Sequence, residues 1–568
     1  MDTSYKASID FDTTARIDVV TGGAAFQLLS DTDFQSRWDK LYESCPWGTV
    51  FQRREFVSQW YQVYQSEFLP IIVTSTSQGS LVGLLTMALN LSGVVPAKLE
   101  CSRGNIIGAG HYEAEYQVWL AETSGSDLFV VQALQEISRQ FPKCNVHFRF
   151  LPAATPMQWV KQNRLRRDVI VQELKRPLMD LKNPELAKAF RKAEFRNKLN
   201  RLKRLGELQF LHIKDADTFS NILQDATIQF DFRQGAMFNK NQFRESPLKS
   251  IFLKAMFEQD LLHVTALKVN EDVLSVIMAV VGNGWVHLGG INVHTPFHAK
   301  YYSPGFVHFL MLGQFLAEEG VAIFDLTPGG DAYKERLATR HDYVYELIIP
   351  GNAGYTIKRR LKKVFHDQLI RFGIRPMSAE LTLKKGMYLL KNKVKRLKNF
   401  DSEELATIMS QSGKTNVYEL SLLQISSGTP LAVRQNNLND LLNYEQGGSW
   451  LTRWEFLEQA MRRYETGEQS YSWSEQGRLL GCVWLAAPGP GAGPLPGQIP
   501  EDAVVLQGLY YHAAGQEHLR TFLAAVVETV VAAGKRPGVL LADARTIARL
   551  KAAAGKTIVA EELSKAES

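Results

Sequence analysis

The stretch 285–350 constrains this chain more than any other part of it. It opens on a run that reads as a strand, Trp285-Val-His-Leu-Gly-Gly-Ile-Asn-Val293, and continues through a Pro/Tyr-rich connection to Tyr301-Tyr302-Ser303-Pro304-Gly305. A long apolar helix is predicted up to Gly320, then a short strand over 321–326, a turn Pro328-Gly329-Gly330-Asp331, a helix beginning at Ala332 and a last strand over 343–349. Ser303 is a predicted N-cap, Pro304 suits a first helical position and Gly305 lets a ligand approach the backbone. Free N–H groups and the positive dipole end of such a helix can receive an anion such as a pyrophosphate. The same residues also fit an ordinary helix–strand connection, so the local pattern leaves both readings open.

At 568 residues the chain has room for three or four cores. A net charge of +6 is too small for global steering toward nucleic acid, so local basic runs carry more meaning. Cys45, Cys101, Cys144 and Cys482 show no metal or disulfide spacing, and no metal site is expected. The N-terminus lacks a basic segment followed by an apolar core, and no apolar run approaches the roughly 20 residues of a bilayer span. A cytoplasmic protein is expected, with peripheral contact at the inner membrane face as a further expectation.

Aromatic residues at helical spacing predict helices from Asp33 (Phe34, Trp38, Leu41) and over 55–64 (Phe56, Trp60, Tyr64). A hairpin follows over 70–87 around Gly79, then a strand over 98–101, a glycine-rich stretch over 104–110, a helix over 128–141 and a strand over 144–151. The glycines near Gly108 precede no helix and no Lys-Ser/Thr, which excludes a P-loop. Residues 186–205 carry eight Lys/Arg with Glu194 the lone acid and read as one basic helix, either a solvated face or an anion site. After a strand over 208–213, a helix over 219–230 leads to Arg233, and strands over 261–268 and 273–281 form a hairpin. Residues 351–400 form a basic helical tail, able to meet anionic lipid headgroups or to serve as a plain extension. A polar linker precedes Ala/Gly-rich residues with a helix–hairpin–strand–helix–strand order, closing on a helix over 546–554.

The order of Ser-Pro-Gly helix start, Phe324-Asp325 strand, Gly330-Asp331 turn and Tyr333-Lys334 resembles the CelD/BcsL-type acyltransferases, a branch of the GNAT superfamily with tandem repeats like the FemAB aminoacyltransferases. That resemblance implies an α/β (α+β) fold of tandem GNAT-like mixed sheets flanked by helices, with a third GNAT-like domain. Its parts would be a flexible N-terminus 1–20, a first repeat 21–180, a basic linker helix 181–206, an active second repeat 207–350, a basic helical extension 351–400, a linker 401–416 and a degenerate domain 417–568. In the third domain Glu517 stands where a pyrophosphate loop needs a small residue, and an acid there repels phosphate.

The family implies transfer from acetyl-CoA or another acyl-CoA to an N or O acceptor, a sugar, amino-sugar or polysaccharide precursor of an exopolysaccharide or cellulose pathway. Such chemistry needs an oriented nucleophile, a proton acceptor and oxyanion stabilisation, not a covalent nucleophile. Asp325 is expected to orient or deprotonate the acceptor, Tyr333 to relay a proton and Lys334 to hold a phosphate or carboxylate. An ion pair fixing the turn is the structural alternative for Asp325 and Lys334. Ser303, Gly305, Gly329 and Gly330 would hold the cofactor, and Arg233, Tyr301 and Tyr116 (of the Glu115-Tyr116 pair) the substrate. The family's histidine near Arg233 has no match, and His308 reads as a packed core residue. Two other readings stay open: a FemAB-like transferase using aminoacyl-tRNA, which the basic runs favour, and a non-catalytic partner of a polysaccharide synthase complex.

Overall fold

A computed structural model describes residues 16–92, 104–162, 164–165, 168–297, 302–399, 415–419, 431–446, 451–486 and 503–543. The predicted elements over 98–101 and 546–554, and Tyr301, lie outside the described residues. The chain divides into two compact units, the first of residues 1–223, 246–292 and 305–376, the second of 224–245, 293–304 and 377–568. Segments 224–245 and 293–304, expected within the second repeat, therefore group with the C-terminal part. Apolar packing explains it for the first segment: Phe232 and Ala236 share a buried cluster with Leu441, Leu457 and Tyr464.

The first unit is built on a mixed sheet. Its strands are β1 (Arg16–Thr21), β2 (Phe68–Ser77), β3 (Ser80–Asn90), β4 (Asn105–Gly108), β5 (Leu120–Ala121), β6 (Asn145–Pro152), β7 (Ile170–Asp180), β8 (Leu208–Ile213), β9 (Leu262–Val269), β10 (Asp272–Gly282), β11 (Trp285–His294), β12 (Ile323–Asp325) and β13 (Arg340–Ile349). The order across the sheet is β1-β2-β3-β4-β6-β13-β7-β12-β11-β10-β9-β8, with β5 paired to β3. Each half has the same plan, antiparallel neighbours followed by one parallel pair, β4 with β6 and β11 with β12. The last strands cross over. β7, which follows β6 in the chain, pairs with β12, whereas β13, which follows β12, pairs with β6 and β7.

Local chemistry explains the elements. Asp31 caps the Thr32–Ser44 helix by accepting from Asp33 N, and Phe34, Trp38 and Leu41 are its buried face. The β2–β3 hairpin closes over Gln78 and Gly79, both at positive φ, as a tight primed turn requires. The predicted single basic helix is two, Pro184–Arg191 and Ala193–Lys203. Lys192 leaves the helical region between them at φ −63°, ψ 137°, and among the side chains described Leu186, Phe195 and Leu202 are buried. A run so rich in charge cannot supply one continuous apolar stripe. Strand β7 has no expected counterpart, because Glu173, Lys175 and Arg176 mask its alternation.

Gly290 lets β11 run close beside β10, since a Cβ there would stand 2.5 Å from the Met278 carbonyl oxygen. Backbone cannot swing aside as a side chain can. Gly290→Ala is expected to cost about 1–3 kcal/mol, read as a lowered urea midpoint.

The second unit contains β14 (Thr415–Glu419), β15 (Arg434–Gln435), β16 (Gln469–Glu475), β17 (Arg478–Ala486), β18 (Ala503–Tyr511) and β19 (Arg536–Asp543). They are ordered β14-β19-β18-β17-β16-β15, with β18 and β19 parallel. The Leu519–Ala532 helix seals one apolar cluster through Phe522, Val526 and Val530. No helix among the described residues is long and apolar enough to cross a membrane.

Candidate active site

Asp325 ends β12 in the first unit, fully buried. Four donors surround its carboxylate. His287 on β11 approaches Oδ2 through Nδ1 at 2.9 Å, and the Tyr116 hydroxyl donates to the same oxygen. The Thr327 amide donates to Oδ1 at 2.8 Å, and Arg176 Nη1 on β7 lies 3.5 Å from Oδ2. The parallel register sets His287 directly beside Asp325, and the antiparallel register sets Leu178 on its other side. Arg176 and Asp325 can therefore meet only because β7 crosses to β12.

Arg176 is itself held. Its Nε donates to Asp342 Oδ1 on β13 at 2.6 Å, and its guanidinium lies 5.0 Å from the Tyr116 ring centroid and 5.3 Å from that of Trp285. Phe51 flanks both Tyr116 and His287, with ring centroids 5.9 and 5.4 Å away. The result is a buried cluster of charged and polar groups, in which unpaired members would be costly.

Burial alone pushes the Asp325 carboxyl upward, but the hydrogen bond and electrostatic pull of His287, the Arg176 charge and the Tyr116 hydroxyl outweigh it and hold the group below its ordinary value. Burial pushes the neighbouring Glu115 the other way, above its ordinary value, against the opposing pull of Arg149 and Lys334. Arg149 Nη2 donates to Glu115 Oε1 at 3.2 Å. Burial, reinforced by the Asp325 charge, raises Tyr116 well above a free phenol, so it stays a proton donor. Two carboxyl groups displaced in opposite directions are a mark of acid–base sites.

Below Asp325 the chain turns through Thr327, Gly329 and Gly330, all at positive φ (61°, 153° and 64°). Lys334 latches this turn, donating to the Thr327 carbonyl at 3.1 Å and its Oγ1 at 2.9 Å. Burial lowers its pKa despite Asp331 and Glu115. With its ammonium aimed inward at Thr327, Lys334 is a staple of the turn, the structural alternative expected for it from the sequence. A different cation faces the glycines: Arg375 donates Nη1 to Asp331 at 2.8 Å. Its buried Nε and Nη2 have no partner among the described residues. They lie 4.0 and 3.8 Å from the Cβ positions that Gly330 and Gly329 leave vacant. Unsatisfied guanidinium donors beside such a cradle fit an anionic phosphate.

Residues 189–335 match a family model described as an acetyltransferase (GNAT) domain. The matched segment holds His287, Asp325, Gly329, Gly330 and Lys334, whereas Tyr116, Arg176, Asp342 and Arg375 come from outside it. Similar solved structures include FemX, at 10% identity and TM-score 0.39, covering 55% of this chain and 95% of that one. The L-PGS of Bacillus licheniformis gives 12% and 0.35, covering 56% and 91%. A tandem GNAT protein from the clavulanic acid biosynthesis pathway gives 12% and 0.34, covering 58% and 98%. A search of curated proteins returns no match.

The other expected site residues are placed differently. Tyr333 is half-buried, its hydroxyl 3.3 Å from Asn292 Nδ2 and its ring tilted against Phe309. Ser303 precedes the Pro304–Glu318 helix at φ 50°, not in the extended backbone of a capping serine. Gly305 is buried in the first turn of that helix. Arg233 belongs to the second unit, where its Nη1 lies 2.8 Å from His294 Nδ1. His308 is a core histidine as expected, between Ser275 and Thr265 at 3.0 and 2.9 Å. Of the expected set, Asp325, Tyr116, Lys334, Gly329 and Gly330 converge, while His287, Arg176 and Arg375 are additions.

Proposed function

We infer that the first unit is an acyl-CoA-dependent N- or O-acyltransferase in which His287, oriented by Asp325, accepts the proton of the attacking nucleophile. The observation that carries this reading is the buried His287–Asp325 pair inside the segment that matches an acetyltransferase model. A hydrogen bond at Nδ1 fixes the tautomer and leaves Nε2 as the basic nitrogen. Asp325, saturated by donors and held in its charged form, is better suited to orient and stabilise the imidazole than to take the proton itself. As the acceptor's nitrogen or oxygen bonds to the acyl carbon, its proton passes to His287, and the thioester C–S bond breaks to release coenzyme A as a thiolate that then takes up a proton. Coenzyme A supplies the thioester. Gly329, Gly330 and Arg375 would hold a phosphate of that co-substrate. The motif resemblance to CelD/BcsL-type enzymes points to a sugar, amino-sugar or polysaccharide precursor as acceptor.

Calorimetric titration with acetyl-CoA tests the donor, and release of free thiol over a panel of amino sugars and sugars tests the acceptor. Micromolar binding is expected in the wild type. Arg375→Ala is expected to weaken it by about tenfold or more, since a hydrogen bond to a charged group is worth about 1.5–3 kcal/mol. Absence of binding by folded wild-type protein sinks the acyl-CoA reading.

One observation favours an aminoacyl-tRNA donor as the second reading: Lys192, Arg196, Lys203 and Arg204 are exposed on and around the two basic helices. That reading requires tRNA affinity falling steeply with salt. If neither donor binds, a non-catalytic role beside a polysaccharide synthase is the remaining account.

A further inference from the structure

The helix Ala353–Arg371 in the first unit is docked by one side only. Thr356 is buried, Arg359 donates Nη2 to His147 at 2.8 Å, and Lys363 donates to the Val171 carbonyl at 2.8 Å. The Asn352 side chain caps the helix by accepting from Tyr355 N, so it is a finished element. Its opposite side repeats apolar residues at i, i+4, i+7 and i+8: Ile357, Leu361, Val364 and Phe365, at 61%, 65%, 59% and 45% exposure. Phe372 and Ile374, at 77% and 47%, extend the stripe beyond the helix end. Folding leaves such a row in water only at a cost, so its persistence on a fully formed helix marks a contact surface.

Charge identifies the partner. The helix carries six basic residues (Lys358, Arg359, Arg360, Lys362, Lys363, Arg371) and one acid, Asp367. Helical spacing sets Lys358 and Lys362 along one border of the stripe and Arg371 along the other, where Arg360 donates to Asp168 at 2.8 Å. At the inner border Arg359, Lys362, Lys363 and His366 line a cavity of about 80 Å³ with Glu346 as its one acid. Arg359 Nε is buried there without a partner among the described residues. An apolar stripe between two cationic borders matches the boundary between acyl chains and anionic headgroups.

We propose that the Ala353–Arg371 helix lies in the plane of an anionic bilayer, with Ile357, Leu361, Val364 and Phe365 in the acyl boundary and Lys358 and Lys362 on lipid phosphates. The contact is independent of the donor used by the buried site.

Flotation of the full chain tests it, using phosphatidylcholine vesicles with and without phosphatidylglycerol. Binding is expected only with phosphatidylglycerol, and to weaken as salt screens the phosphates. Leu361→Glu/Phe365→Glu and Lys358→Glu/Lys362→Glu are each expected to reduce the bound fraction at least about tenfold. Both pairs are exposed, and unchanged circular-dichroism melting of each variant shows that the fold survives. Equal binding to neutral vesicles, or no binding to either kind, overturns the proposal. So does a wild-type dimer in sedimentation that the Leu361→Glu/Phe365→Glu variant dissociates without change in flotation, which would make the stripe a contact between two copies.

Discussion

Asp325→Asn is expected to lower the turnover of acyl transfer by about four orders of magnitude while leaving most of the fold intact. Asparagine fills the same volume, but its amide can accept at one oxygen and must present N–H₂ where Asp325 now accepts. His287 and Tyr116 both aim at Oδ2 while the Thr327 amide donates to Oδ1, so one amide orientation sets N–H₂ against His287 and Tyr116 and the other sets it against the Thr327 N–H. In a serine-protease triad, loss of such an orienting carboxylate costs about 10⁴ in rate, and loss of a general base costs about 10²–10⁴. His287→Gln should therefore be comparably slow. The double variant decides how Asp325 acts: if it works through His287, the combination is little worse than His287→Gln alone. Losses that multiply would mean that Asp325 meets the substrate directly.

The second large effect is on stability. Arg176→Met is expected to destabilise the first unit by about 3–5 kcal/mol, the range for removing one partner of a buried ion pair. Methionine keeps apolar contact with Tyr116 and Trp285 but abandons two carboxylates, Asp325 and Asp342. Acid should narrow the gap. A carboxyl group held below its ordinary value stabilises the fold above that ordinary value, and the contribution is lost as pH falls through the lowered one. Without Arg176 the lowering of Asp325 shrinks, so wild type and variant should converge as pH falls below the ordinary aspartate range. Urea midpoints at neutral and acid pH measure this, and a gap that stays constant would assign the loss to packing alone.

The legibility of this site in the sequence was uneven, and the reason is separation along the chain. Asp325, its strand and the following glycine turn follow from a local pattern, as do the hairpins β2–β3 and β9–β10. Tyr116 was legible only through a family motif, because its partner is 209 residues away. Arg176 was not legible at all: exposed Glu173 and Lys175 and buried Arg176 stand close together in β7, so a charged residue in the core breaks the alternation. His287 lies within the recognised strand, whereas the family pattern sets its histidine near Arg233, on another element. The useful signal was register, since a residue two past the start of β11 falls beside the end of β12. Lys334 shows the converse, since a conspicuous charge beside glycines fits both a ligand contact and a turn-fixing role, and only the fold shows its ammonium turned inward to Thr327.

The crossing of β7 and β13 governs how the protein can be made. Arg176 arrives early on the ribosome, but the strand between β6 and β7 is not synthesised until residue 349. Until then both strands expose unpaired edges, a state prone to mispairing with other chains. The two halves cannot mature one after the other like beads. Each supplies the stave that closes its neighbour, and a stop between them would leave a fragment without an independent native state. Duplication could multiply such a half, but once the staves had exchanged, neither copy was free to leave.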